Sequence, residues 1–277
     1  MKISITKLVA SGNDFILLDL RRRMKRLNLK KIAIQLCQRK LGIGADGLLV
    51  LEKSRRANVK MRIFNADGSE AEMCGNGARC VVYFLKTLAP KGLGLLKIDT
   101  QAGMLKAQVL KGDIKINMTD PKGLKLNSIL RLKKHALRFN FINTGVPHTV
   151  ILCEGIEKID VHSLGRLIRF HKKFKPAGTN VNFVEPVGLN KIKIRTYERG
   201  VEEETLACGT GSVAAAIVVA LKLKNLGLIK KAGKISCEVS TVSGETLKVY
   251  FEIFKNKVVN VWLQGKARII CKGETHV

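Results

Sequence analysis

Two cysteines stand directly before glycine-rich turns: Cys74 in NADGSEAEMCGNGARC (65–80) and Cys208 in YERGVEEETLACGTGS (197–212). Small and apolar residues of helical character follow each, ARCVVYFLKTL (78–88) and SVAAAIVVALKLK (212–224). A cysteine at such a strand-to-helix turn faces backbone N–H groups that lack an intrahelical acceptor and the positive end of a helix dipole. That field binds carboxylate or phosphate, glycine lets the ligand approach the backbone, and the same field favours thiolate over thiol.

Three other uses of such thiols compete with this one. A lone cysteine is most often a small buried hydrophobe, which is the expectation for Cys37, Cys80, Cys153, Cys237 and Cys271. A metal site needs further ligands, yet no second Cys or His lies at ligand spacing from Cys74 or Cys208. The five histidines (His135, His148, His162, His171, His276) form no cluster in the sequence. A cysteine hydrolase needs one nucleophile with a His base and leaves a duplicated thiol unexplained. Two thiols on opposite sides of one bound anion meet the requirement for racemisation or epimerisation: one removes an α-proton while the other delivers a proton to the far face. Amides around the α-carboxylate would stabilise the charge that develops there. With no phosphate-binding glycine loop and partnered lysine, the pattern points to a route without pyridoxal phosphate or any other cofactor.

The elements that must position these thiols also recur. CGNG at 74–77 reappears as CGTG at 208–211, MRIFNADG (61–68) matches IRTYERG (194–200), ASGNDFILLD (10–19) matches NTGVPHTVIL (143–152), and GADGLLV (44–50) matches GTNVNFV (178–184). All four pairs keep chain order at offsets of 133 or 134 residues, so an internal duplication is expected. Alternating runs such as KISITKLV, KMRIFN, KIKIRTYE and ETLKVYFEIF read as strands. NLKKIAIQLCQRK (28–40) reads as an amphipathic helix, and SVAAAIVVAL, apolar on every side, as a helix inside its domain. The expected fold is α+β: two pseudo-symmetric domains, each a curved, mostly antiparallel sheet around a central helix. The boundaries are placed at 1–120 and 121–265, with a hinge near MTDPKGLKLNS (118–128) and the last strand, 266–277, completing the first domain.

Composition narrows the remaining classes. A chain of 277 residues, 46% hydrophobic with 5 prolines, reads as folded throughout. Without an export signal or a long apolar run, it is expected in the cytoplasm, where its seven scattered cysteines would stay reduced. The net charge of +28 raises nucleic acid as a partner, but the basic residues are spread out and lack interleaved aromatics. The densest run, RRRMKRLNLKK (21–31), reads as a solvated helix face. A basic nucleic-acid-binding protein on an inactive fold is therefore the distant alternative.

Together the motifs resemble the signature of the diaminopimelate epimerase family. The likeness extends to SGNDFILLD, GIGADGLLVLE, GVPHTV and GTNVNF in family order, and so covers nearly the whole chain. It implies that Cys74 and Cys208 interconvert LL- and meso-2,6-diaminopimelate, a step toward lysine and peptidoglycan precursors, commonly as a homodimer. Carried over by motif, Asn13, Asn65, Asn180 and Arg199 would contact polar groups of the substrate. Gly75 and Asn76 would hold it at the first helix turn, and Gly209 and Thr210 at the second. His148 and Glu198 would orient and tune the thiols, Glu198 also touching substrate. A cofactor-free racemase of proline, hydroxyproline or another amino acid is the nearer alternative. Two positions depart from one common form of the pattern: Gly47 stands where many members have glutamine, and Val146 where many have asparagine.

Overall fold

In the computed structural model the described residues are all but 1, 23–26, 90–93, 133–135, 230–232 and 256. The chain divides into two compact units, Met1–Asn117 with Gln264–Val277, and Met118–Leu263.

The first unit holds strands β1 (Lys2–Ala10), β2 (Asn13–Asp19), β3 (Gly47–Glu52), β4 (Val59–Asn65), β5 (Glu70–Ala71), β6 (Leu96–Thr100), β7 (Gly103–Val109), β8 (Ile114–Asn117) and, from the chain end, β18 (Arg268–His276). They pair in the order β18-β1-β2-β3-β4-β6-β7-β8, and β5 forms a short hairpin on β4. Every pair is antiparallel except β2–β3 and β4–β6, where a helix supplies the crossover that parallel strands require. Those helices are α1 (Leu29–Cys37) and α2 (Gly75–Leu88). Helix α2 packs against β1, β2, β4, β7, β8 and β18, so the sheet curls around it.

The second unit repeats this plan with β9 (Lys122–Arg131), β10 (Ala136–Asn143), β11 (Pro147–Leu152), β12 (Asn180–Gly188), β13 (Lys191–Glu198), β14 (Glu203–Thr205), β15 (Gly233–Ser240), β16 (Thr246–Phe254) and β17 (Lys257–Gly265). Pairing runs β9-β10-β11-β12-β13-β15-β16, again antiparallel except at β11–β12 and β13–β15. These parallel pairs are spanned by α3 (Val161–Arg169) and α4 (Gly209–Asn225). Helix α4 contacts β10, β11, β12, β13, β15 and β16 and buries twelve residues, as its uniformly apolar sequence predicts.

The strand register makes the duplication explicit. Phe15 pairs with Gly47 as His148 pairs with Asn180, and Leu49 pairs with Ile63 as Asn182 pairs with Thr196, each equivalence being 133 residues apart. Both thiol turns are braced by the same device. Arg62 on β4 grips Glu70 on β5 through two bonds of 2.6 and 2.7 Å, and Arg195 on β13 grips Glu204 on β14 through two of 2.7 Å. Planar, two-point pairing of this kind fixes strand orientation as well as charge, and each hairpin leads into its cysteine.

One local expectation changes. The basic run does not form a helix from residue 21: Arg21 and Arg22 lie in a turn, residues 23–26 lie outside the described residues, and α1 starts only at Leu29. Asn28 caps it by accepting from the Lys31 N–H, which is why the helix begins there. The polar stretch 118–128, expected as the hinge, begins where the second unit begins, and from Lys122 onward it is extended as part of β9.

Candidate active site

In the first unit, Cys74 is the N-cap of α2, in extended conformation, and its sulfur accepts from the Gly77 N–H at 3.4 Å. The N–H groups of Gly75 and Asn76 occupy the first turn, where no intrahelical acceptor exists. Asn13 is brought to the sulfur by the tight β1–β2 turn, in which Ser11 and Gly12 both have positive φ (52° and 82°). Asp46 fixes the direction of the Asn13 amide. A carboxylate only accepts, so Nδ2 of Asn13 donates to Asp46 Oδ2 (2.7 Å), and Oδ1 is left facing Cys74 Sγ at 3.8 Å. Asp46 is held in turn by Arg39 (2.6 Å), which also bonds Asp14, and Asp14 pairs with the largely buried Lys7 at 2.7 Å. The charge of Lys7 and Arg39 keeps the Asp14 carboxyl below its ordinary range against the opposing effect of burial, the largest single influence.

The first turn of α2 is tied to the β1–β2 turn by Arg79, a fully buried guanidinium. One nitrogen donates to both Ser11 Oγ (2.8 Å) and Asn76 Oδ1 (2.7 Å). The amide oxygen of Asn76 is thereby committed to the scaffold. Asn65 closes the β4–β5 hairpin by donating to Ser69 Oγ at 2.9 Å, and it is exposed.

In the second unit, Cys208 occupies the same N-cap position on α4 but has a different neighbour. Its sulfur lies 3.4 Å from the Thr210 hydroxyl, which lies 3.0 Å from Nε2 of His148. The other ring nitrogen, Nδ1, lies 3.0 Å from Asn182 Nδ2. Histidine 148 is wholly buried, and burial lowers its pKa to about 3, assisted by the positive charge of Arg199, so the imidazole is neutral at ordinary pH. Thr144 completes the turn by donating to the Thr210 carbonyl at 2.9 Å.

The remaining expected residues sit on the strand ends of the same unit. Asn180 donates to the Pro147 carbonyl (3.1 Å) and accepts from the Arg199 N–H (2.8 Å), which joins β11, β12 and the end of β13. The Arg199 guanidinium donates to the Ala177 carbonyl at 3.0 Å. Glu198 accepts from Thr205 Oγ1 at 2.9 Å across the β13–β14 hairpin. Thus Asn13, Gly75 and Asn76 gather at Cys74, and Gly209, Thr210 and His148 gather at Cys208. Asn65, Asn180, Glu198 and Arg199 hold strand ends and turns of their own units.

A profile of the family described as "Diaminopimelate epimerase" matches residues 5–124 and 140–268, taking in both thiol turns. The chain belongs to the diaminopimelate epimerase family. A diaminopimelate epimerase of Aquifex aeolicus is 42% identical over 96% of this chain and 95% of its own, and one of Flavobacterium psychrophilum is 34% identical over 97% and 98%. Among solved structures, a phenazine biosynthesis protein of the PhzF family from Bacillus anthracis superposes with a TM-score of 0.77 at 16% identity, each chain covered completely. A hydroxyproline epimerase from Agrobacterium vitis superposes at 0.73 with 14% identity, over 99% of this chain and 91% of its own. At those identities the likeness establishes the fold alone.

Within the diaminopimelate epimerase pattern, the motif residues left several partners unannounced. Asp46 aims Asn13. Ser11, Arg79, Thr144 and Asn182 support the thiol turns, and none of them had been singled out. A signal for Asn182 was present: it is the second asparagine of GTNVNF, between Val181 and Phe183 in the buried part of β12. The two departures from the family pattern are accommodated locally. A Cβ at Gly47 would lie 2.8 Å from the Phe64 carbonyl oxygen, so this backbone favours glycine. The Val146 carbonyl closes the turn before β11 by accepting from the Thr144 N–H. Among the described residues no helix is long and apolar enough to cross a membrane, and no group of three or more His, Cys, Asp or Glu could hold a metal ion.

Proposed function

We propose that this chain epimerises 2,6-diaminopimelate between its LL and meso forms by moving a proton between Cys74, Cys208 and the α-carbon. The observation that carries this is the duplicated placement of a cysteine at the N-cap of a buried helix, in a chain of this family. One thiolate takes the α-proton while the other thiol delivers a proton to the opposite face, a division of labour that a single sulfur is unable to perform. The N–H groups of Gly75, Asn76, Gly209 and Thr210 are the donors suited to an α-carboxylate and to the charge that grows on it. Asn13, Asn65, Asn180, Glu198 and Arg199 are assigned to the substrate's other polar groups, and His148 and Glu198 to the thiols. No cofactor is invoked. A homodimer in the cytoplasm is the accompanying proposal, to be checked by sedimentation and fractionation.

The reaction is tested by incubating LL-diaminopimelate with reduced protein in deuterated water. Appearance of the meso isomer with deuterium at the α-carbon is expected. No exchange and no isomer would remove the proposal, and preferential exchange of proline or hydroxyproline would reassign the substrate. Cys74→Ala and Cys208→Ala should each lower turnover by about 1,000-fold or more, the loss typical of removing an essential proton-transfer group.

A further inference from the structure

We propose that Asn182 is a positioning residue for Cys208: it locks His148 as the Nε2–H tautomer, so that His148, Thr210 and Cys208 form a donor chain running toward the sulfur. The proposal rests on the acid/base role assigned above to Cys208.

The direction of the chain follows from which atoms can only accept. Nδ2 of Asn182 donates to the Thr149 carbonyl at 3.1 Å, and Oδ1 accepts from the Thr196 hydroxyl at 3.1 Å, so the amide is not flipped. The second hydrogen on Nδ2 then points at His148 Nδ1, 3.0 Å away. A proton on Nδ1 would set two N–H groups against each other, so Nδ1 is the acceptor and Nε2 carries the hydrogen. That hydrogen goes to Thr210 Oγ1, which frees the Thr210 O–H to point at Cys208 Sγ, 3.4 Å away. Donation to sulfur favours the thiolate, and each bond in the series polarises the next. Burial, and after it the field of Arg199, oppose a second proton on the ring.

The other half of the molecule serves as an internal control. At the positions of His148, Asn182 and Thr196, the first unit has Phe15, Leu49 and Ile63, all buried and apolar. The fold therefore closes around this helix without polar groups, and burying three of them is unfavourable unless they are fully bonded. The glycine after Thr210 belongs to the same arrangement. A Cβ at Gly211 would collide with Asn182 Oδ1, whereas at Gly77 its nearest neighbour would be the end of the Leu49 side chain at 2.9 Å. Asn182 is thus seated directly against the first turn of α4, where a change in its hydrogen bonding is felt at the thiol.

The test uses the full chain labelled with 15N-histidine. Long-range proton–nitrogen correlation at neutral pH should show His148 protonated on Nε2 in the wild type and on Nδ1 in Asn182→Asp, whose carboxylate demands a donor. Alkylation by iodoacetamide, followed residue by residue, should be slowed at Cys208 by about tenfold at pH 7 in Asn182→Asp and Asn182→Leu, with Cys74 within about twofold of wild type. Turnover should fall by at least about tenfold with KM within about threefold, as expected when a group acts on the transition state through another residue. An Nδ1–H tautomer in the wild type would overturn the proposal without any variant. So would unchanged Cys208 alkylation in folded variants, even if their turnover fell, because that pattern is a packing defect. If tautomer and alkylation respond as expected while the wild type leaves diaminopimelate untouched, the positioning role stands and the substrate assignment fails.

Discussion

Lowering the pH from 7.5 to 5.0 should destabilise the second unit by an amount traceable to one residue. His148 has a pKa of about 3 in the folded chain against an ordinary 6.5, because burial penalises the imidazolium. As pH falls below 6.5 the unfolded chain takes up a proton there and the folded chain does not. The stability present above pH 6.5 is therefore lost progressively as pH falls toward 3. Between pH 7.5 and 5.0 the loss is about 2 kcal/mol, from 1.5 pH units at about 1.4 kcal/mol each. His148→Phe, which installs the residue found at the equivalent Phe15, removes the titration. It also leaves Asn182 and Thr210 short of a partner, but that penalty does not depend on pH and cancels in the comparison. The single tryptophan, Trp262, lies in the same unit, so urea unfolding followed by its fluorescence reports on that unit. Wild type should lose about 2 kcal/mol more than His148→Phe between the two pH values. Equal losses, to within about 0.5 kcal/mol, would refute the assignment of His148 as a buried neutral group.

Three further outcomes follow from the geometry. Gly211→Ala, whose Cβ meets the amide oxygen of Asn182, should lower turnover by about tenfold or more, whereas Gly77→Ala, meeting a movable Leu49 methyl, should cost less; equal losses would show that the two turns tolerate bulk alike. Burial pushes the thiols of Cys37 and Cys237 up to about 11 and about 12, so at pH 8 both should resist iodoacetamide while Cys74 and Cys208 react, and rapid labelling of either buried thiol in folded protein would contradict this. Glu204→Gln keeps the shape of the β14 hairpin but removes one charge from its two-point grip on Arg195; a loss of about 1 kcal/mol in the Trp262-monitored transition is expected, and no change would mean that solvent already screens the pair.

The parts of the fold legible in the sequence are those carried by local pattern. The apolar run 212–221 identifies α4 as an internal helix because no face of it could meet water, and the Cys-Gly turns mark both helix starts because a cap and close backbone approach demand those residue types. The duplication is visible because insertions are nearly absent between copies. What escaped was long-range. The return of the last strand to the first domain was expected, but its partner there, β1 at the opposite end of the chain, was not, because no local signal specifies such a pairing. Asp46 is an ordinary turn residue until the fold sets it 2.7 Å from Asn13, and Asn182 an ordinary strand residue until it meets His148. The basic run misled because charge periodicity says nothing about where a helix begins, and the cap at Asn28 decided that instead.

The duplication also explains why the two thiols need not behave alike. At the Cys74 turn the sulfur has the acceptor Asn13 Oδ1 beside it and itself accepts from the Gly77 N–H. At the Cys208 turn the neighbour is instead a hydroxyl backed by a neutral imidazole, the chain to which the donor order proposed above applies. The position equivalent to Asn13 is Val146 and the position equivalent to His148 is Phe15, so each half has the support that the other lacks. A two-base epimerisation requires one thiol and one thiolate at the start of each turnover, and two identical sites would have to break their symmetry by chance occupancy of protons. Divergence of the buried neighbours, with both helix turns left intact, supplies that difference while leaving the first-turn amides the same in both halves.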